Sequence, residues 1–113
     1  MLTYALVFFG MAALGGFVLA GGVLRGKLAP WVISLGHALL AVTGLVLLSM
    51  VVLQGPTPAR VTASLALLLL AGLGGFYLAS LHRMGEIAPR TIIYAHAALA
   101  LLGVLILFSA VLA

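Results

Sequence analysis

Long apolar runs separated by short polar connections dominate this sequence. Four runs approach the ~20 residues that a bilayer span requires: Leu2–Leu24, Trp31–Gln54, Val61–Leu81 and Thr91–Leu112. The connections at 25–30, 55–60 and 82–90 are too short to join anything except neighbouring helices that run in opposite directions. The pattern therefore predicts an all-α integral membrane protein, an up-down-up-down bundle of four helices in one transmembrane domain.

The second half of the chain repeats the first half at a constant offset of 59 residues. When 14–48 is aligned with 73–107 without a gap, more than two fifths of the positions are identical. The matches include less abundant residue types: Gly15/Gly74, Gly16/Gly75, Phe17/Phe76, Gly26/Gly85, Pro30/Pro89, Ile33/Ile92, His37/His96 and Gly44/Gly103. We expect two tandem-duplicated hairpins, about 1–54 and 61–113, related by a pseudo-twofold axis along the membrane normal.

Composition agrees with a membrane protein and excludes several kinds of chemistry. The chain of 113 residues is 66% hydrophobic and 5% charged, which leaves no room for a soluble domain. Cysteine is absent, so disulfides, thiolate metal sites and a thiol nucleophile are excluded. The single carboxylate, Glu86, lies in a connection, so carboxylate-coupled transport has no machinery within the spans. No nucleotide-binding or hydrolase motif is present either.

The basic residues predict the orientation of the chain in the membrane. Arg25 and Lys27 lie in the first connection and Arg83 and Arg90 in the third, whereas the second carries only Arg60. The positive-inside rule places the first and third connections in the cytoplasm and both termini on the other side. The net charge of +4 is thus explained by topology and not by nucleic-acid binding. We expect a bacterial inner-membrane protein whose first span is retained.

The two duplicated histidines are the candidate functional residues. His37 lies six residues after the start of its span at Trp31, about 9 Å below it, and His96 lies at the equivalent depth of the fourth span. The second and fourth helices of such a bundle are diagonal partners, so the two imidazoles are expected to face each other across the axis. Two glycine pairs lie at a similar depth in the first and third helices: Gly15, Gly16, Gly74 and Gly75.

Paired imidazoles and glycines in one slab of the bilayer favour a bis-histidine haem b. Two neutral imidazoles can hold one iron from opposite sides, and glycine lets helix backbones pass close to a macrocycle. We predict one haem with His37 and His96 as its metal ligands and the glycine pairs beside it. Its propionates would face cations at the cytoplasmic mouth: Arg25, Lys27, Arg83 and Arg90. Carbonyls near Ile33 and Ile92 are candidate acceptors for the second ring nitrogens.

Other interpretations of the same residues are open. Glycine and alanine faces also pack membrane helices without any cofactor, and a duplication copies a structural histidine as readily as a ligand. His82, which lies opposite Val23 in the repeat, is a propionate partner, a donor to a quinone carbonyl or an interfacial polar residue. The alternative functions are a cofactor-free accessory or assembly subunit of a larger membrane complex, and a small channel or carrier with a polar histidine gate.

The paired histidines and glycines resemble the four-helix core of membrane b-type cytochromes, of the broad cytochrome b561 kind. The resemblance covers the helices and rests on their pattern, without a diagnostic motif. It implies electron transfer, although such cytochromes often hold two haems and only His37 and His96 are available here as ligands. A single haem would exchange electrons with quinol or a neighbouring redox subunit, so the chain is expected to be a carrier more than a stand-alone enzyme. A homo-oligomer is compatible with this role.

Overall fold

The chain folds into four α-helices, without any strand, in a computed structural model that describes residues 1–113. The helices are α1 (Leu2–Leu24), α2 (Trp31–Leu53), α3 (Ala59–Arg83) and α4 (Arg90–Leu112). Their ends lie within two residues of the predicted spans, and each helix is long and apolar enough to cross a membrane. The prediction of an all-α membrane protein is therefore confirmed.

Proline and glycine set the ends of the helices. A proline with extended ψ immediately precedes each of the last three helices: Pro30, Pro58 and Pro89. Gly26 and Gly85 follow the ends of α1 and α3 with φ of 76° and 74°, a left-handed conformation that glycine adopts without strain. The amide of Lys27 donates to the carbonyl of Gly22, and an equivalent bond closes α3, which is the Schellman pattern. Both turns thus reverse the chain in the same way.

The four helices pack as two hairpins. Helix α1 packs extensively on α2, and α3 on α4, whereas α2 meets α3 and α1 meets α4 over fewer residues. The diagonal pairs, α1 with α3 and α2 with α4, make no backbone contact. The molecule measures 43 × 23 × 20 Å, so its long axis matches a bilayer with its headgroups. The seams between hairpins are consequently the loosest part of the fold.

The main buried cluster lies in one half of the bundle, although Leu81 and Ile93 are buried in the other half. It unites side chains from all four helices at the level of the chain termini and the 54–58 connection: Ala5, Phe9, Leu48, Val61, Leu68 and Leu107. A Cβ on Gly44 would come within 2.9 Å of the Phe9 ring, and one on Gly103 within 2.8 Å of Leu68. Packing this tight joins the two helices within each hairpin, and the cluster as a whole brings the hairpins together. We call this region the closed half, and the region between it and the connections at 25–30 and 84–89 the open half.

Candidate functional site

His37 and His96 meet in the open half. Their ring centres are 6.2 Å apart and their planes are inclined by 78°. His37 is carried by α2 and His96 by α4, two helices whose backbones are not in contact, so the side chains alone bridge the diagonal. The two imidazoles therefore face each other, as the repeat predicts.

Each imidazole is fixed by a backbone carbonyl of the neighbouring helix. His37 donates its Nδ1–H to the oxygen of Ala12 at 2.7 Å, and His96 donates to Ala71 at 2.8 Å. A carbonyl oxygen can only accept, so the proton of a neutral ring lies on Nδ1 and Nε2 keeps a free lone pair. This tautomer is the one that a metal-ligating histidine needs when its second nitrogen is held by a carbonyl.

The predicted acceptors near Ile33 and Ile92 are wrong. A helix carbonyl points along its own helix towards the amide four residues later, which here belongs to His37 or His96 itself. A side chain that projects sideways reaches the adjacent helix instead. The acceptors accordingly lie on α1 and α3, at Ala12 and Ala71.

The glycine pairs leave the Ala12 and Ala71 carbonyls uncovered, so that the imidazoles can reach them. In α1, Gly15 and Gly16 follow Ala12 at the positions that would otherwise cover its carbonyl. A Cβ on Gly16 would lie 3.1 Å from Cε1 of His37, and the same distance separates a Cβ on Gly75 from Cε1 of His96. Gly15 and Gly74 pack against the Cβ atoms of the same two histidines. The glycines thus seat the imidazoles within each hairpin; their predicted contact with a macrocycle stays a prediction.

A cavity of about 240 Å³ lies in the open half beside the histidine pair. All four helices line it, mostly with apolar side chains, and His37 and His96 both form part of its wall. Four of its apolar lining residues are also exposed on the outer surface of the bundle: Phe17 and Leu101 on α1 and α4, and Val42 and Phe76 on α2 and α3. The cavity therefore reaches the lipid-facing surface along the seams between the hairpins.

The donor set at this cavity fits a haem better than a bare metal ion. No group of three or more His, Cys, Asp or Glu side chains in the chain is placed to hold an ion. Haem supplies most of its iron's ligands from the macrocycle and takes axial ligands from the protein. Two imidazoles bound to one metal at about 2.0–2.1 Å have ring centres about 6 Å apart, which agrees with the observed 6.2 Å.

The cations that the sequence offered as propionate partners do not line this cavity. Arg25, Lys27 and Arg83 are exposed at the connections, and Arg90 donates to the carbonyl of Leu24 at 3.4 Å. The polar side chains that line the cavity towards the connections are of other kinds: Ser34, His82 and Glu86. The structure thus brings together the two histidines and leaves Arg25 and Arg83 outside the cavity wall.

His82 and Ser34 add polar groups to the cavity wall. His82 donates Nε2–H to the carbonyl of Ala29 at 2.8 Å, and its ring packs edge-on against Trp31 with centres 5.0 Å apart. This contact joins α3 to the start of α2 across the hairpins. Ser34 is only 8% exposed, and sequence reasoning missed it. Its one signal is that Ile93 occupies the equivalent position of the repeat.

Fold and site together define a class: a four-helix membrane protein with two histidines in edge-on contact beside an apolar cavity. No protein family, curated protein or solved structure matches this chain. His37, His96 and the cavity wall are consequently the features from which a function can be inferred.

Proposed function

We propose that this protein is a small membrane b-type cytochrome that holds one haem b between His37 and His96 and transfers electrons. The observation that carries the proposal is the hydrogen bond from each Nδ1–H to a carbonyl of the adjacent helix. These bonds leave both Nε2 lone pairs free, in two rings whose spacing suits a shared metal.

The residues of the chain have distinct tasks in this proposal. Bound haem supplies a reversible one-electron couple at its iron. His37 and His96 hold the iron, while the carbonyls of Ala12 and Ala71 orient the rings and increase their basicity as ligands. The apolar wall of the cavity excludes water, and burial of this kind is one determinant of a haem reduction potential.

The same proposal includes an up-down-up-down bundle of two duplicated hairpins around a pseudo-twofold axis. It is supported by contacts that recur at the 59-residue offset. The bond from His37 to Ala12 matches that from His96 to Ala71. The close approaches of Gly44 to Phe9 and of Gly103 to Leu68 match as well. The axis then passes between the two imidazoles, where a single haem would lie.

The electron partner belongs to the membrane in this proposal. One histidine pair near one end of the bundle provides for one haem, so electrons are exchanged with quinol or a neighbouring redox subunit and are not carried across the whole bilayer. The cavity supports this assignment because it reaches the lipid-facing surface. The charge distribution favours a bacterial inner membrane with the connections at 25–30 and 84–89 in the cytoplasm.

The proposal is tested by absorption spectroscopy. Protein expressed with adequate haem and purified in detergent is expected to give sharp low-spin bands on reduction with dithionite, and pyridine haemochrome assay should find one haem per chain. His37→Leu and His96→Leu should each abolish these bands, whereas His82→Leu, a third histidine near the cavity, should retain them. Folded but colourless protein, or unchanged spectra in both ligand variants, would contradict the haem assignment and favour an accessory subunit.

A further inference from the structure

A one-sided polar rim lies between the histidine pair and the connections. It consists of Ser34, His82 and Glu86, and all three side chains line the cavity. Unlike the histidine pair, none of them is duplicated: their equivalents at the 59-residue offset are Ile93, Val23 and Lys27. The cavity therefore combines a symmetric pair of metal-binding side chains with an asymmetric polar rim, and the bis-histidine site does not explain the rim.

His82 presents a hydrogen-bond acceptor at the rim. Its Nε2–H is donated to the carbonyl of Ala29, so a neutral ring retains its lone pair on Nδ1. The ring is also held in place by its edge-on contact with Trp31. The His82 ring is therefore fixed in place with Nε2 already bonded, and Nδ1 is available to accept a hydrogen bond from a ligand.

Ser34 and Glu86 complete the set. Three of the other four helix serines donate to a carbonyl three residues earlier on their own helix: Ser64, Ser80 and Ser109. The fourth, Ser49, does not line the cavity. Ser34 makes no such bond, although it is more than nine-tenths buried, and it lines the cavity. Glu86, the single carboxylate of the chain, only accepts hydrogen bonds when it is ionised. The rim is therefore rich in acceptors.

A ligand that suits this rim must bring O–H donors and an apolar body. The remaining wall is mostly apolar, and the cavity reaches the lipid-facing surface at Phe17, Val42, Phe76 and Leu101. Hence we propose that the rim binds the head group of a lipid-soluble hydroquinone, an aromatic diol. Its two hydroxyls donate to Nδ1 of His82 and to the carboxylate of Glu86, with Ser34 as a third partner.

His82 lies towards the connections from the histidine pair: it follows Gly75, the residue that contacts His96, by seven residues, or about 10 Å of helix rise. Ser34 lies nearer the pair, three residues before His37 on α2. The rim therefore extends from beside the histidine pair towards the connections. The assignment of the hydroquinone as electron donor rests on the proposed haem, whereas its binding to the rim does not.

The binding experiment uses Trp31, the only tryptophan in the chain, as its reporter. Tetramethylhydroquinone is titrated into the detergent-purified protein without oxygen, and Trp31 emission is recorded because the indole contacts His82. A saturable change is expected. The dimethyl ether of the same diol has the same apolar body but no O–H donor, so it should bind at least tenfold more weakly, as expected for the loss of two hydrogen bonds, each about fivefold.

Variants assign the binding to the rim. Ser34→Ala and Glu86→Gln should each weaken the binding of the diol about threefold to tenfold. His82→Leu should weaken it about tenfold; because this change also alters the surroundings of Trp31, its affinity is measured by equilibrium dialysis. The matched controls are Ser80→Ala, an exposed serine on α3, and Lys27→Gln, the repeat equivalent of Glu86. Both controls should stay within about twofold of the parent protein.

Three results would overturn this inference: quenching that rises without saturation, equal affinity for the diol and its ether, or affinities that the rim variants leave unchanged. The titration is performed with and without bound haem, which separates the two proposals. A protein that binds haem but not the diol would remove the rim site alone. A colourless protein that binds the diol saturably would remove the haem and keep the rim.

Discussion

The closed and open halves of the bundle share one packing arrangement, a glycine beside a larger side chain, but differ in how closely the two hairpins pack. In each half, a glycine on one helix admits a side chain from its hairpin partner. Gly44 receives Phe9 in the closed half, whereas Gly16 receives His37 in the open half. Phe9 belongs to the common core and borders the cavity from that side; His37 lies outside the core, and its Nδ1–H is bonded within its own hairpin to Ala12. The kind of side chain beside the glycine thus decides whether the hairpins merge or separate.

This difference divides stability and ligand binding between the two halves. The closed half buries side chains from both hairpins in one cluster. In the open half the two imidazoles contact each other across the hairpins. Two hydrogen bonds near the connections also join the hairpins, from His82 to the Ala29 carbonyl and from Arg90 to the Leu24 carbonyl. Of the core cluster only Phe9 and Leu68 also line the cavity, so a ligand there leaves the other core side chains untouched.

The largest effect, on haem affinity, is expected when a new side chain fills the space that an imidazole occupies. Gly16→Leu would place a side chain where Cε1 of His37 lies, 3.1 Å from the position of a Cβ, and would displace the ring from the Ala12 carbonyl. Loss of such a supporting contact costs about 10–100-fold in metal affinity. Haem titration of the purified protein would measure the change.

The control for this variant is Gly21→Leu, on the same helix, where a Cβ meets nothing within 4 Å. It should bind haem like the parent protein. Equal affinities for Gly16→Leu and Gly21→Leu would show that the glycine does not support the histidine.

A smaller effect, on stability alone, is expected in the closed half. Gly103→Ala brings a methyl group within 2.8 Å of the Cγ atom of Leu68, a branch point that has little freedom to move. Overpacking of this kind costs about 1–3 kcal/mol, measured as the free energy of unfolding in mixed micelles. Gly10→Ala, which has open space around its Cβ, is the control. A loss of haem affinity without loss of stability would contradict the division between the halves.

Removing a hydrogen bond between the hairpins near the connections should affect stability less. Arg90→Gln shortens the side chain that reaches the Leu24 carbonyl at 3.4 Å, a long and exposed hydrogen bond. We expect a loss of at most about 1 kcal/mol and faster hydrogen exchange at 84–89. Unchanged hydrogen exchange at 84–89 would mean that this hydrogen bond does not hold the hairpins together.

The smallest effect is expected at the exposed cations. If Arg25 and Arg83 bound the haem propionates, as their sequence positions suggest, Arg25→Gln and Arg83→Gln would each lower haem affinity clearly. Both side chains lie outside the cavity wall, so we expect changes below about twofold, within the range of ordinary surface substitutions. Haem dissociation kinetics measure this, and a tenfold acceleration in either variant would restore the sequence-based assignment.

The membrane and the repeat explain why part of this molecule is predictable from its sequence. A bilayer demands about 20 apolar residues per span, so the helices are found almost to the residue. The duplication identifies His37 and His96 as a pair. The partners of these rings are not predictable, because Ala12 and Ala71 depend on the register of one helix against another. Ser34 is missed because membrane helices tolerate a serine that bonds its own backbone.

The covalent link between the two hairpins has an evolutionary consequence. A homodimer of a single hairpin would carry every substitution twice, once in each subunit, and its two-fold axis would force any binding surface to be self-matching. Within one polypeptide, one copy is free to keep isoleucine at position 93 while the other has serine at position 34. In the proposed duplication, fusion of the copies therefore permits an asymmetric molecule, with one side that a partner can distinguish, to arise from a symmetric ancestor.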